Sequence, residues 1–228
     1  MEQLARRIAR KIVRTIVRFP AKWYCNYHFK KAFTDDYDAF WVVDIDNTIA
    51  DSWRTQTPQY LAQFRSESDR IMSIAPFEAM QRLFEDIPPR TRVIFLSARY
   101  YIRYFVTKKW LKKHGFWQAD SALVLVERMH DKAPLLEGVL KNYFGKKTPP
   151  PYFNDFNNNL LIKDNLITNK PITNNLISNN YPITFFDDLS YNHEKGEVLF
   201  YKEVLEAVQK MPIKYIGYEE LLLMQSNK

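Results

Sequence analysis

Four short apolar runs separated by helical stretches constrain this chain more than anything else in it. They are residues 40–43 (Phe-Trp-Val-Val), 92–96 (Arg-Val-Ile-Phe-Leu), 122–126 (Ala-Leu-Val-Leu-Val) and 183–186 (Ile-Thr-Phe-Phe). Runs this short, rich in β-branched and aromatic residues, read as strands buried on both faces. The stretches between them have helical periodicity. Residues 76–84 place Phe77, Met80, Leu83 and Phe84 as the apolar set. Residues 100–114 are expected to turn Ile102, Phe105, Val106 and Trp110 inward and to end at Gly115. Residues 132–142 form a helix with Asp131 as N-cap and Pro134 in its first turn, and residues 198–211 form another. A final short strand is expected at 214–216. Such alternation predicts an α/β fold, a parallel sheet with helices on both faces.

The first run continues directly into Asp44-Ile45-Asp46-Asn47-Thr48. Side chains alternate along an extended chain, so Asp44 and Asp46 leave the strand end pointing the same way. Two carboxylates so close call for a cation between them, most naturally a hard one such as Mg²⁺. In an open parallel sheet, sites form outside the carboxyl ends of the strands. Each run here has a polar group there: Asp44 and Asp46 after the first, Ser97-Ala98-Arg99 after the second, Lys132 six residues past the third, Asp187-Asp188 after the fourth. Converging carboxylates, a hydroxyl and an ammonium suit a divalent cation and an anionic group held together.

Each motif also has a plainer meaning. Asp-x-Asp occurs in metal-dependent sugar transferases and by chance in loops, Ser at a strand end is ordinary turn chemistry, and Asp-Asp can cap a helix. A calcium loop is excluded, because Ile49 stands where its tight-turn glycine belongs. Lys163, in Leu-Ile-Lys-Asp, competes with Lys132, which is preferred because it follows an apolar strand and opens a helix. His28, His114, His130 and His193 lack zinc-ligand spacing.

Taken in order, strand–Asp-x-Asp-x-Thr, strand–Ser, Lys before a helix and strand–Asp-Asp resemble the four motifs of the haloacid dehalogenase-like (HAD) superfamily, over about residues 40–211. The resemblance implies a Rossmann-like three-layer fold with a small cap, and a phosphatase chemistry. It implies Asp44 as a nucleophile that forms an aspartyl-phosphate and Asp46 as acid and base. It implies Mg²⁺ held by Asp44, the Asp46 backbone carbonyl, Asp187 and Asp188. Ser97 would bind the phosphoryl group, Lys132 would neutralise Asp44 and phosphate, and Thr48 would position or contact substrate. Ser97-Ala98-Arg99 is similar to the phosphatase module of polynucleotide kinase-like repair enzymes, which implies Arg99 as a substrate contact. Lys108, Lys109, Lys112 and Lys113 follow on the next helix, where a solvated face accounts for them equally simply.

Charge divides the chain. Residues 1–31 hold nine Lys/Arg against Glu2, a net +8, and the remainder is −1. A helix is expected from residue 2 to 18, stopped by Pro20, with Leu4, Ile8, Ile12, Val13, Ile16 and Val17 on one face and Arg6, Arg7, Arg10, Arg14 and Arg18 on the other. This basic segment, 1–31, is set apart from a domain at 32–228. It suits an anionic membrane surface or RNA, and equally a face packed on the body. Trp23, Tyr24 and Phe29 fit an interfacial belt. No apolar run reaches the length of a membrane span, no signal peptide is visible, and the single cysteine, Cys25, suits a reducing compartment. The expected location is cytoplasmic, peripheral at the inner face of the membrane.

Residues 153–180 contain ten Asn and a loose Asn-Leu-Ile repeat, entered through Pro149-Pro150-Pro151. They read as an insertion at about 146–181, either hairpin strands with Asn-rich turns, as in a flap over the site, or low-complexity sequence. Residues 49–96 leave room for a modest cap, so the site is expected to be open. Two substrate classes follow: a sugar phosphate or cell-envelope intermediate, or a nucleic acid 3′-phosphate end. A binding module that has kept the fold without turnover is the non-catalytic reading.

Overall fold

The computed structural model describes residues 2–145 and 182–226. Seven strands occur among them: β1 (Ala39–Val43), β2 (Thr91–Ser97), β3 (Ala122–Leu125), β4 (Ile183–Phe186), β5 (Ser190–Tyr191), β6 (Leu199–Phe200) and β7 (Lys214–Ile216). Five form one parallel sheet in the order β3-β2-β1-β4-β7. The chain steps outward from β1 to β2 to β3, then returns to the other side of β1. The order therefore reverses between β1 and β4, the crevice where such sheets bind ligands.

The helices are α1 (Glu2–Ala32), α2 (Pro58–Leu61), α3 (Glu67–Ser73), α4 (Glu78–Glu85), α5 (Tyr104–Lys113), α6 (Lys132–Phe144), α7 (Lys202–Gln209) and α8 (Tyr218–Ser226). They flank the sheet in a Rossmann-like arrangement. Successive residues of β1 show how both faces are covered. Phe40 meets Phe33 and Tyr143, at the side of α1 and α6, with ring centroids 4.8 and 5.5 Å away. Trp41 points the opposite way onto Phe84 of α4. Alternation along one buried strand thus feeds two cores.

Three expectations change. α1 does not stop at Pro20 but runs through it to Ala32. An interior proline removes one helical hydrogen bond and costs about 3 kcal/mol; docking of the following turns offsets this, because Cys25, Phe29 and Ala32 are buried in the core. Phe29 accordingly belongs to the interior and not to an interfacial belt. On α5, Thr107, Trp110 and Leu111 face inward, whereas Ile102 is exposed and Phe105 is 82% exposed. The chain enters α5 through a 3₁₀ turn, Tyr101–Arg103, whose tighter winding shifts the phase of the buried face. Finally, the helix expected at 198–211 begins only at Lys202, because Leu199–Phe200 pairs antiparallel with Ser190–Tyr191.

The Asn-rich insertion and Lys163 lie outside the described residues. The rejoining residue, Pro182, accepts a 2.7 Å hydrogen bond from the N–H of Phe40, at the amino end of β1. The insertion therefore rejoins the sheet at the end opposite the strand carboxyl termini. Among the described residues, no helix is long and apolar enough to cross a membrane.

Phe40 and Phe105 test this packing. Phe40→Ala should lower the unfolding free energy by about 3–5 kcal/mol in urea titration, as for a fully buried aromatic. Phe105→Ala should change it by no more than about 0.5 kcal/mol, as for an exposed position.

Candidate active site at the sheet switch point

Asp44 follows β1 and Asp187 follows β4. The N–H of Asp44 still donates to the carbonyl of Phe186 at 2.8 Å, and that of Asp187 to the carbonyl of Ile216 at 3.2 Å. These ladder bonds fix both strand ends side by side. The side-chain oxygens of Asp44, Asp187 and Asp188 come within 4.8 Å of one another, and all three residues are buried.

Lys132 opens α6 and inserts its ammonium among them. Nζ lies 2.6 Å from Asp187 Oδ2 and 2.9 Å from Asp44 Oδ1, and Lys132 is 0% exposed. Burial would drive its proton off, but the two carboxylates outweigh burial and hold the ammonium charged, with its pKa raised. Asp131 does not cap α6; its carboxylate accepts the N–H of Arg128 in the preceding turn. The start of α6 is set by the buried lysine instead.

The second aspartate of Asp-Ile-Asp has separate partners. Arg99 clasps Asp46 with two 2.7 Å hydrogen bonds, Nε to Oδ2 and Nη2 to Oδ1. A third bond, Nη1 to Thr107 Oγ1 at 3.2 Å, braces the guanidinium against α5. Burial would raise the Asp46 pKa, but Arg99 overrides it and holds the carboxyl below its ordinary range. Asp46 is not one of the three clustered carboxylates.

Asp188 is held by the turn around it. Its N–H donates to Thr48 Oγ1, and the Thr48 hydroxyl lies 3.4 Å from Asp188 Oδ1. Ser190 Oγ donates to Asp188 Oδ2, and His193 Nε2 sits against the same hydroxyl. Leu189 adopts φ +46, a conformation costly for a branched aliphatic residue, and its N–H donates to Asp187 Oδ1 at 3.0 Å. That strained residue turns the chain so that both acids face the site.

A cleft of about 620 Å³ opens over these groups. Asp44, Asp46, Ser97 and Asp188 line its floor; Trp53, Gln56, Tyr191 and His193 contribute to its walls. Ser97 Oγ is buried and has no hydrogen-bond partner among the described residues. An unsatisfied buried hydroxyl costs about 1–3 kcal/mol unless a ligand or water completes it. Asn47, in the left-handed region at φ +60, fixes the turn that leads to Trp53: its Oδ1 accepts from Ser52 Oγ and the N–H of Trp53. The segment between β1 and β2 is pinned to α5 by Trp110 Nε1 donating to the carbonyl of Ile74.

The residues singled out in the sequence are therefore gathered, but in two layers. Asp44, Asp46, Ser97 and Asp188 reach the cleft; Thr48, Arg99, Lys132 and Asp187 stand behind them as holders. Ser190 and His193 were not singled out. Their signal was position, within five residues of Asp188, and not metal-ligand spacing.

Three clustered carboxylates face one ammonium, with Asp46 neutralised by Arg99. Among the described residues the cluster thus carries two uncompensated negative charges when ionised, which would match one divalent cation with oxygen ligands. Burial, opposed by Lys132, raises the Asp44 pKa to about 7 and that of Asp187 to about 6; burial also raises Asp188.

A carboxyl whose folded pKa is raised stabilises the fold fully below its unfolded value, and that contribution is lost as pH rises through the folded value. Metal-free protein should therefore lose stability between about pH 4 and 7. Added Mg²⁺ should raise the thermal midpoint more at about pH 8 than at about pH 5.5, since protons compete for the same oxygens. Lys132→Met should destabilise the metal-free protein by about 3–5 kcal/mol near neutral pH, because it leaves buried carboxylates uncompensated; equilibrium denaturation measures it.

No family model, curated protein or solved structure matches this chain.

Proposed function

We propose that this chain is a Mg²⁺-dependent phosphatase of the haloacid dehalogenase-like type, cleaving a phosphomonoester through an aspartyl-phosphate on Asp44. The observation that carries this reading is the clustering of Asp44, Asp187 and Asp188 around Lys132 at the sheet switch point, with an unpartnered Ser97 hydroxyl in the same cleft.

In this reading an Asp44 oxygen attacks phosphorus while the bond to the leaving oxygen breaks, and that oxygen takes a proton from Asp46. Water then attacks phosphorus in the acyl phosphate and passes its proton to Asp46; phosphate leaves and Asp44 is restored. Mg²⁺, held by Asp44, Asp188 and their neighbour Asp187, would supply positive charge to the nucleophile and the phosphoryl oxygens. Lys132 favours the ionised form of Asp44, and Ser97 Oγ donates to a phosphoryl oxygen. The Arg99 clasp keeps Asp46 ionised, so proton donation requires the clasp to loosen when substrate enters and Asp46 to take up a proton, from water or from the incoming phosphate monoanion. Arg99 is thus a positioning residue for Asp46 and a counter-charge for the incoming anion.

The cleft is polar and open, walled by Trp53, Gln56, Tyr191 and His193, which suits a sugar phosphate or a cell-envelope intermediate. The nucleic acid end reading rests on Ser97-Ala98-Arg99 and the α5 lysines. Two of those lysines are occupied: Lys108 sits 4.4 Å over the Trp117 ring, and Lys113 Nζ donates to the carbonyl of Met72. This favours the smaller substrate.

An aryl phosphate assay tests the chemistry. Hydrolysis should require Mg²⁺, stop with chelator, and vanish in Asp44→Asn. Asp46→Asn should lower kcat by about 10²–10⁴, as for loss of a general acid. Turnover of 3′-phosphorylated oligonucleotides above a panel of phosphometabolites would instead select the end-processing reading. Absence of turnover on every substrate would leave a binding module.

A further inference from the structure

We propose that α1 seats this protein on an anionic lipid surface through a stripe of apolar side chains on its outer face. Ile16, Phe19, Trp23 and Tyr27 are 67%, 73%, 68% and 40% exposed. At 100° per residue they share an arc of about 80°. Trp23 and Tyr27 stack along it with ring centroids 5.3 Å apart. The opposite face is already used: Cys25, Phe29 and Ala32 are buried in the core, and Arg18 Nε bridges Glu127 at 2.7 Å. The helix is therefore oriented by the body, and the stripe is what it presents outward.

Charge identifies the occupant. Exposed Lys22 and Lys31 stand on either side of the stripe, and exposed Lys30 lies within it. Residues 1–31 carry +8 while the rest of the chain is −1. Two copies meeting through this face would bring two such charges together, which disfavours self-association. A nucleic acid would be met by lysines along the contact line, whereas here the line is aliphatic and aromatic with basic flanks. Phe, Trp and Tyr between lysines suit the boundary of acyl chains and anionic headgroups.

Vesicle flotation of the full chain tests this without reference to phosphatase activity. The protein should float with vesicles of phosphatidylcholine and phosphatidylglycerol, and much less with phosphatidylcholine alone. The double substitution Phe19→Ser/Trp23→Ser should weaken binding by about 10-fold or more, with circular dichroism and thermal midpoint unchanged, because both side chains face solvent. Lys22→Glu/Lys30→Glu/Lys31→Glu is the second variant; it should remove the preference for anionic vesicles and leave weak binding to neutral ones unchanged. Equal flotation of wild type and both variants overturns the proposal. So does binding of wild type to RNA in place of vesicles, or a dimer in light scattering that the double substitution dissociates.

Discussion

A charged lysine with no solvent exposure lies at the centre of this molecule. The ammonium of Lys132 cannot be buried alone, and the carboxylates of Asp44 and Asp187 cannot be buried together without it. Each is supplied by a different element: the end of β1, the end of β4 and the first residue of α6. The ion triad therefore fixes where three segments, far apart in sequence, must meet. Apolar packing of β1 and β4 brings the strands into register, and the triad sets the angle at which α6 leaves the sheet rim.

The two aspartates of Asp-Ile-Asp leave the strand together yet live in opposite electrostatic settings. Asp44 is pushed up by burial, with neighbouring acids adding to it; Asp46 is buried too, but Arg99 pushes it down. In the metal-free protein this split runs opposite to the proposed roles, in which Asp44 is the ionised nucleophile and Asp46 the acid, so a cation bound beside Asp44 would have to reverse it. The second group is held ionised, and the proposed chemistry would require that setting to rearrange. Thr107, deep on α5, connects that rearrangement to the body of the fold through Arg99.

The sheet and its rim were legible in the sequence because short apolar runs ending in polar residues have few alternative meanings. Ile183–Phe186 and Lys214–Ile216 appear as expected, and Lys132 stands where its position between an apolar strand and a helix placed it. What was not legible depended on tertiary context. Pro20 signals a helix end only when no docking offsets it, and the buried turns at Cys25 and Phe29 do. The face of α5 turned because a 3₁₀ entry changed its phase and Arg99 drew Thr107 inward. Ser190 and His193 could not be placed beside Asp188 from sequence alone, because the tight turn through Leu189 has no glycine to announce it.

The attachment of residues 146–181 has a consequence for how this chain can vary. α6 and β4 are joined at the amino end of the sheet, as the contact of Pro182 with Phe40 marks, while the acids hang from the other end. In general, the entropy of closing a loop grows only logarithmically, about 0.6 kcal/mol for each doubling of length. The point where the chain re-enters the sheet, at Pro182, lies the length of β4 away from Asp187. A change in length between α6 and β4 would therefore be felt first at Pro182 and Phe40, and at Asp187 only through β4.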